Sequence, residues 1–169
     1  HGMVATSSAI SAYPYSMGCW MRTPNDGLDW GYIFNMTNSS AGNGELDTGL
    51  SKYGLKDARS MYGYVNGTIY ASFKNSVDTT DWYHVLFVAT SATHRILYVD
   101  GIAQTAATES KTLSTLNRTC IGFKDLATDL FTTGAMVVQD AWIKDVVMTA
   151  DEVTTMYNNY TNAGFFTVT

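Results

Sequence analysis

The chain of 169 residues is long enough to bury a substantial core without disulfides or metals, and we predict a single domain. Its net charge of −5 and its ten singly scattered Lys and Arg residues exclude a nucleic-acid partner, because phosphate binding needs a basic face. No apolar run approaches the roughly 20 residues of a membrane-spanning helix, so no membrane insertion is expected. The low share of charged residues, 15%, favours a β-rich protein that works outside cells or on a particle surface.

The amino terminus and the cysteines set further bounds. Residues 1–3, His-Gly-Met, are interpreted as the remnant of an expression tag, which leaves residues 4–169 as the predicted domain. Cys19 and Cys120 lie far apart in strand-like surroundings, so buried free thiols are favoured over a disulfide. The three histidines show no ligand spacing, and a zinc site is not predicted.

The first half of the chain shows strand patterns separated by turn residues. Apolar side chains occupy the odd positions from Tyr15 to Met21, and the even positions from Ser16 to Arg22 form the opposite face of the same strand. Asn66-Gly67 is the signature of a type I′ hairpin turn. The strands predicted in this half are Val4–Ala12, Tyr13–Thr23, Trp30–Met36, Leu50–Lys56, Met61–Val65 and Thr68–Phe73.

The middle of the chain reads as three strands joined by two turns. Trp82–Thr90 carries apolar residues on both faces, and Arg95–Val99 follows after a short polar connection. Asp100-Gly101 predicts a tight hairpin, because Gly reaches positive φ without a Cβ clash, and Ile102–Ala106 returns. A strand with two apolar faces beside a tight hairpin indicates one layer of a β-sandwich.

The last third contains a predicted strand at Arg118–Phe123, a long loop over Lys124–Thr133 and an apolar, β-branched stretch over Ala135–Met148. Thr149 and Glu152 then fit a capping box. Apolar residues at i, i+3, i+4 and i+7 follow it and predict one short amphipathic helix: Val153, Met156, Tyr157 and Tyr160.

A closing strand is predicted at Phe165–Val168. About ten short strands with frequent turn signals and one brief helix predict an all-β fold, a two-sheet antiparallel β-sandwich with a helix near the carboxyl end.

Three sequence blocks occur in an order shared with a known family. Tyr13–Thr23 places a small residue and a Trp before an apolar and a basic residue, and Asp81–Gly101 contains a W-x-H-V strand and a Y-V-D-G turn. Phe131–Val153 contains a late strand that leads into the helix start. The chain thereby resembles the concanavalin A-like lectin/glucanase superfamily, in its laminin-G-like and pentraxin-like branch. The resemblance implies a jelly-roll fold, which hosts lectins, glycan hydrolases, adhesion modules and viral coat or fibre parts.

The resemblance also implies a candidate calcium site after the strand Arg118–Phe123. Asp125 stands where pentraxin-like relatives carry a calcium carboxylate, and Asp129 follows in the same loop. Lys124 stands where those relatives carry an acidic or amide ligand, which argues against a double-calcium site. Because calcium takes six to eight oxygen ligands, two carboxylates need carbonyls or water in addition, and solvated carboxylates without metal are the alternative.

A candidate sugar-binding site follows the first long strand. Trp30 and Tyr32 offer aromatic faces for a sugar ring, and Asp26 and Asp29 offer carboxylates for its hydroxyls. The alternative is that Trp30 starts a strand and packs inward. Three tyrosines on the Asn-Gly hairpin offer a stacking surface or, as the preferred interpretation, cross-strand pairs: Tyr62, Tyr64 and Tyr70.

No catalytic constellation is predicted. Glycan hydrolases of this superfamily carry an E-x-D-x-E strand, and Glu45-Leu46-Asp47 begins that pattern before Thr48-Gly49-Leu50 breaks it. His84 belongs to a predicted strand and His94 to a turn, without a Ser or Cys partner. We therefore expect no enzyme.

The preferred function is a non-catalytic glycan-binding or adhesion module displayed on a cell or virus particle surface. Its partner would be a glycan or cell-surface receptor. The first alternative is a structural virion or appendage domain, such as a decoration, tail or fibre part, whose partners are other subunits of a larger surface assembly. The second alternative is a degenerate glycan hydrolase.

Overall fold

The computed structural model describes residues 3–22, 30–38, 48–53, 60–65, 68–74, 81–113, 115–125, 130–132 and 137–161. The described part is dominated by antiparallel strands in two large sheets, as the sequence predicts. Six strands form the first sheet, in the spatial order β1 (Met3–Ala5), β10 (Arg118–Ile121), β3 (Trp30–Thr37), β4 (Thr48–Tyr53), β5 (Ser60–Val65) and β6 (Thr68–Lys74).

The second sheet has five strands and carries the helix on its outer face. Its spatial order is β13 (Val137–Lys144), β2 (Tyr15–Arg22), β7 (Tyr83–Ser91), β8 (His94–Val99) and β9 (Ile102–Ala103). A separate antiparallel pair is formed by β11 (Phe123–Asp125) and β12 (Leu130–Thr132), and the helix is α1 (Ala150–Thr161).

The alternation predicted for β2 is confirmed. Met17, Cys19 and Met21 are fully buried in the core between the two sheets, where they pack with residues of β7 and β5. Cys19 and Cys120 are both buried and are not joined by a disulfide, as predicted. Burial raises the pKa of Cys19 to about 12, so this thiol stays protonated and unreactive at neutral pH.

Strand β7 has two buried faces, and this too was predicted. One face supplies Phe87 to the core between the sheets. The other face supplies Leu86 and Val88 to a second apolar cluster beneath the helix, which Met148 and Val153 complete from the opposite side. The helix is therefore attached to the five-stranded sheet by its own small core.

The hairpin turn after β8 adopts the predicted geometry. Asp100 and Gly101 have φ values of 52° and 77°, the left-handed conformation that a type I′ turn requires. The backbone N–H of His84 donates to Asp100 Oδ1 at 2.8 Å, and the N–H of Asp100 donates to the carbonyl of His84 at 2.8 Å. A Cβ on Gly101 would lie 3.3 Å from the Tyr157 ring, so the turn also supports the helix.

The capping box at the helix start is confirmed. The N–H of Thr149 donates to Glu152 Oε2 at 2.7 Å, and the N–H of Glu152 donates to Thr149 Oγ1 at 3.3 Å. The Thr149 hydroxyl also donates to Glu152 Oε2 at 2.9 Å, and the two hydrogen bonds that this carboxylate accepts from Thr149 lower the pKa of the Glu152 carboxyl. The helix consequently begins at Ala150 and directs its apolar side onto the sheet.

Three predicted boundaries were wrong. The opening strand Val4–Ala12 ends at Ala5, and the backbone beyond it bonds a side chain instead of a strand. The Thr119 hydroxyl donates to the carbonyl of Ser7 at 3.0 Å and accepts from the N–H of Ala9 at 3.1 Å. The returning strand Ile102–Ala106 is only two residues long.

The third wrong boundary is the loop predicted over Lys124–Thr133, which contains the paired strands β11 and β12. Gly122, at a φ of 79°, turns the chain out of β10 and starts β11 as a separate strand. The predicted strand Phe165–Val168 lies outside the described residues.

Candidate functional site

An open groove lies on the outer face of the five-stranded sheet, where β13, β2 and the residue before β7 meet the last turn of the helix. Its volume is about 230 Å³. Three aromatic rings, an amide and a hydroxyl line it: Trp20, Trp82, Gln139, Tyr160 and Thr161. We call it the aromatic groove.

Strand register brings the sheet side of the groove together. Trp20 lies opposite Gln139 on β13 and opposite His84 on β7, so these three side chains form one row across the sheet. Trp82 precedes β7 by one residue, and the Arg22 guanidinium carbon lies 5.4 Å from the centroid of the Trp82 ring. Two indoles, one on β2 and one just before β7, therefore share one end of the sheet face.

The helix supplies the other side of the groove. The ring of Trp20 is stacked with that of Tyr157 at a centroid distance of 6.0 Å, and it lies 5.4 Å from the ring of Tyr160. Because Tyr157 and Tyr160 are three residues apart, both project from the same side of the helix. Trp20 is half-buried and held in place, whereas Trp82 and Tyr160 remain 37% and 56% exposed.

A β-bulge places a carboxylate at the rim of the groove. The pairing of β13 with β2 shifts between Gln139 and Trp142, and Asp140 within this bulge has a φ of 51°. The Tyr160 hydroxyl donates to Asp140 Oδ2 at 2.8 Å, and Gln139 Nε2 donates to the same oxygen at 3.2 Å. The hydrogen bond to Asp140 raises the pKa of Tyr160. Two of the lining residues are thus oriented by one carboxylate.

His84 lies beneath the groove and is only 1% exposed. Its ring packs against Trp20 at 5.1 Å and against Tyr157 at 6.1 Å, and its Nδ1 has no hydrogen-bond partner among the described residues. Burial lowers the pKa of His84 to about 4. At neutral pH the imidazole of His84 is therefore uncharged, and it packs against the ring of Trp20.

We expect the domain to lose stability on acidification because of His84. In the unfolded chain His84 takes up a proton near pH 6.5, whereas in the folded chain it does so near pH 4. The folded state therefore binds fewer protons in that interval, and about 3 kcal/mol of unfolding free energy is lost as the pH falls from 7 to 4. Urea unfolding at several pH values measures this loss.

The variant His84→Gln isolates that contribution. The pKa of Asp100 is raised chiefly by burial, so Asp100 acts with the opposite sign and remains in both proteins. The unfolding free energy of the wild type minus that of His84→Gln should therefore fall as the pH is lowered from 6.5 to 4. Identical pH dependence in the two proteins would contradict the assignment.

Of the residues predicted from sequence as a sugar site, the two that the structure describes lie elsewhere. Trp30 and Tyr32 are in β3 of the six-stranded sheet, not in the sheet that carries the groove. The half-buried Tyr32 meets the ring of Tyr64 edge-on at 6.4 Å. Asp26 and Asp29 lie outside the described residues, so this site stays a prediction. Tyr62 and Tyr64 are buried at 3% and 6% exposure, in keeping with a structural use of that hairpin.

The predicted calcium and hydrolase residues are only partly described. Asp125 ends β11 opposite Leu130, and Asp129 lies outside the described residues. Within the described ranges there is no group of three or more His, Cys, Asp or Glu side chains that could hold a metal ion. Calcium at Asp125 and Asp129 stays a prediction, and Glu45-Leu46-Asp47 also lies outside the described residues.

The aromatic groove itself was missed at the sequence level. In the sequence, Trp20 and Trp82 mark strands and Tyr160 belongs to an amphipathic helix face, and none of these patterns indicates a groove. The available signal was that Trp20 falls on the even, outward face of its strand, where a large aromatic residue needs a covering element. Which element covers it, and which strand lies beside it, depends on the sheet order.

Comparison with known proteins agrees with this architecture. A family model described as Concanavalin A-like lectin/glucanases superfamily matches residues 2–159, so the chain belongs to this superfamily. The matching model is one of the laminin G type, which confirms the resemblance seen in the sequence. A search of curated protein sequences finds no match.

Solved structures show the same jelly-roll fold. The heptameric SAP-like pentraxin from Limulus polyphemus has 17% identity and a TM-score of 0.72, over 92% of this chain and 75% of the pentraxin. Domain 4 of AbnA, an extracellular arabinanase from Geobacillus stearothermophilus solved with arabinotriose, has 15% identity and a TM-score of 0.63, over 92% of this chain and 72% of the AbnA chain. The CBM40 of a Ruminococcus gnavus IT-sialidase, bound to α2,3 sialyllactose, has 12% identity and a TM-score of 0.67, over 87% of this chain and 84% of the CBM40 chain.

Proposed function

We propose that the domain is a non-catalytic module that binds a glycan in the aromatic groove. The observation that carries the proposal is the combination of two partly exposed indoles and a tyrosine with an amide and a rim carboxylate around one open groove. Aromatic faces stack on the C–H face of a sugar ring, and carboxylate and amide groups bind its hydroxyls. Relatives of this fold that were solved with arabinotriose and sialyllactose support the proposal.

A shallow site of this kind binds weakly on its own. A millimolar dissociation constant corresponds to about −4 kcal/mol, so such a module gains useful avidity when several copies act together. We therefore propose display on a cell or particle surface, where the glycan or glycosylated receptor is met by an array. No helix within the described ranges is long and apolar enough to cross a membrane.

The test is the variant Trp82→Ala, read first on a glycan array and then by titration with the glycans that bind. Trp82 is exposed at the groove and is not enclosed by the helix, so its removal should leave the fold intact. We expect affinity to fall by about tenfold or more, since loss of a central aromatic contact costs upwards of about 1.4 kcal/mol.

Two controls accompany Trp82→Ala. Trp82→Phe keeps an aromatic face and should retain most of the affinity. Ile102→Ala removes a side chain that is 68% exposed on β9, at the far edge of the sheet, and should change nothing. Unchanged binding by Trp82→Ala, with glycan binding otherwise present, contradicts the assignment to the groove.

The same assay decides between the groove and the sites predicted from sequence. Loss of binding in Trp30→Ala but not in Trp82→Ala would favour the site predicted from sequence: Asp26, Asp29, Trp30 and Tyr32. Loss of binding in EDTA that calcium restores would implicate Asp125 and Asp129, and the double variant to Asn should then abolish the calcium effect.

An assembly role is the second candidate function. The apolar side chain of Val4, 49% exposed on edge strand β1, favours a partner at that edge. A stable oligomer in sedimentation, together with an empty glycan array, would support a structural virion or appendage domain. Release of reducing ends from a polysaccharide would instead revive the hydrolase alternative.

A further inference from the structure

We propose that the aromatic groove selects uncharged sugars and discriminates against acidic ones, through the carboxylate of Asp140. This inference rests on the proposed glycan-binding function and narrows its ligand class. The geometry around Asp140 carries it.

Asp140 is held at the rim by the residues that form the groove. Its Oδ2 atom accepts hydrogen bonds from the Tyr160 hydroxyl at 2.8 Å and from Gln139 Nε2 at 3.2 Å. Among the described residues nothing donates to its Oδ1 atom, and the side chain is exposed. The carboxylate therefore has acceptor capacity that a ligand hydroxyl can fill.

The backbone of Asp140 is specialised for this position. Its φ of 51° is a left-handed conformation that non-glycine residues adopt infrequently, although Asp and Asn tolerate it better than most. The bulge between Gln139 and Trp142 produces it and turns the side chain toward Tyr160. Unusual backbone of this kind collects at ligand-binding sites.

The charge balance of the groove follows from the same contacts. The five lining residues are uncharged. The charged group that is hydrogen-bonded to them is the carboxylate of Asp140, so the rim charge at this point is negative. A sialic or uronic acid carboxylate would be repelled there, while a neutral sugar would donate a hydroxyl in a charge-assisted hydrogen bond. Its C–H face would lie against Trp20 and Trp82.

One positive group opposes this selection. The Arg22 guanidinium lies over the Trp82 ring, 5.4 Å from its centroid. It packs against the indole, an arrangement that stiffens the aromatic platform. If Arg22 instead bound a sugar carboxylate, acidic glycans would bind at least as well as neutral ones.

The experiment compares neutral oligosaccharides with the same oligosaccharides carrying a terminal sialic or uronic acid, on an array and then by titration. We expect the wild type to prefer the neutral member of each pair by about tenfold at low salt, and the preference to narrow at higher ionic strength. Equal or better binding of the acidic members overturns the inference and leaves the proposed function standing. Absence of binding to both classes overturns the proposed function itself.

The variant Asp140→Asn removes the charge while keeping the shape and the left-handed backbone preference. Affinity for neutral glycans should fall by about tenfold, and the neutral-to-acidic ratio should approach one. Asp145→Asn makes the same chemical change at an exposed position beyond the end of β13 and should leave both values unchanged. An unchanged ratio in a folded Asp140→Asn protein contradicts the inference.

Discussion

Replacement of Gly63 by alanine is expected to destabilise the domain by about 3 kcal/mol, because overpacking of a close-packed core is not relieved by small shifts. Gly63 lies on β5, and a Cβ built on it would come within 2.2 Å of Cδ2 and 2.4 Å of Cε2 of the Phe87 ring. Phe87 is fully buried between the two sheets, so its ring has no free space into which to retreat. The glycine is required by the close approach of the six-stranded sheet to that ring.

Urea unfolding of Gly63→Ala measures the effect, and the second-site variant Phe87→Leu tests its cause. Phe87→Leu shortens the opposing side chain, so the double variant should be less destabilised than the sum of the single ones. Additive effects would mean that the clash is not with Phe87. A loss below about 0.5 kcal/mol in Gly63→Ala would show that the sheets can separate at little cost.

Arg95→Met should cost a similar amount, about 3 kcal/mol, because it removes a charge-assisted donor from each of two carbonyl groups, those of Ala92 and Glu109. Arg95 is fully buried, and its guanidinium donates from Nη1 to the carbonyl of Ala92 and from Nη2 to the carbonyl of Glu109. Its backbone N–H and carbonyl also pair with Ala107, at 3.1 and 2.8 Å. One side chain thus ties the turn between β7 and β8 to the segment around residue 109.

Amide hydrogen exchange complements urea unfolding for this variant. The N–H of Lys111 donates to the carbonyl of Ala92 at 2.9 Å, so it should exchange faster in Arg95→Met than in the wild type. Arg95→Lys should recover only part of the loss, since an ammonium does not span two carbonyls as a planar fork does. His94→Ala, at the exposed neighbouring residue, should stay within about 0.5 kcal/mol of the wild type.

The helix links stability to the proposed binding site. Its inner side closes the second core through the fully buried Val153, and its last turn supplies Tyr160 and Thr161 to the groove. Trp20 lies between these two roles, since it packs against Tyr157 and also lines the groove. Changes that loosen the helix are therefore expected to weaken binding, whereas changes at Trp82 act on binding alone.

The sequence by itself determined the local features of the fold. Alternation placed Met17, Cys19 and Met21 in the core, the Asp100-Gly101 pair specified its hairpin, and the capping box started the helix. These features depend on residues close together in the chain, and their patterns follow directly from backbone geometry. The three sequence blocks also identified the superfamily, because a shared order of motifs reports a shared fold.

Only the tertiary structure determined which residues form the aromatic groove. Trp20, Trp82, Gln139 and Tyr160 are distant in sequence, and they meet because β13 and β7 flank β2 and the helix crosses the same face. The bulge that gives Asp140 its left-handed backbone also depends on pairing with β2 rather than on its neighbours in the chain. Sheet order is set by the burial of all the strands at once, and no local pattern encodes which side chains it will bring together.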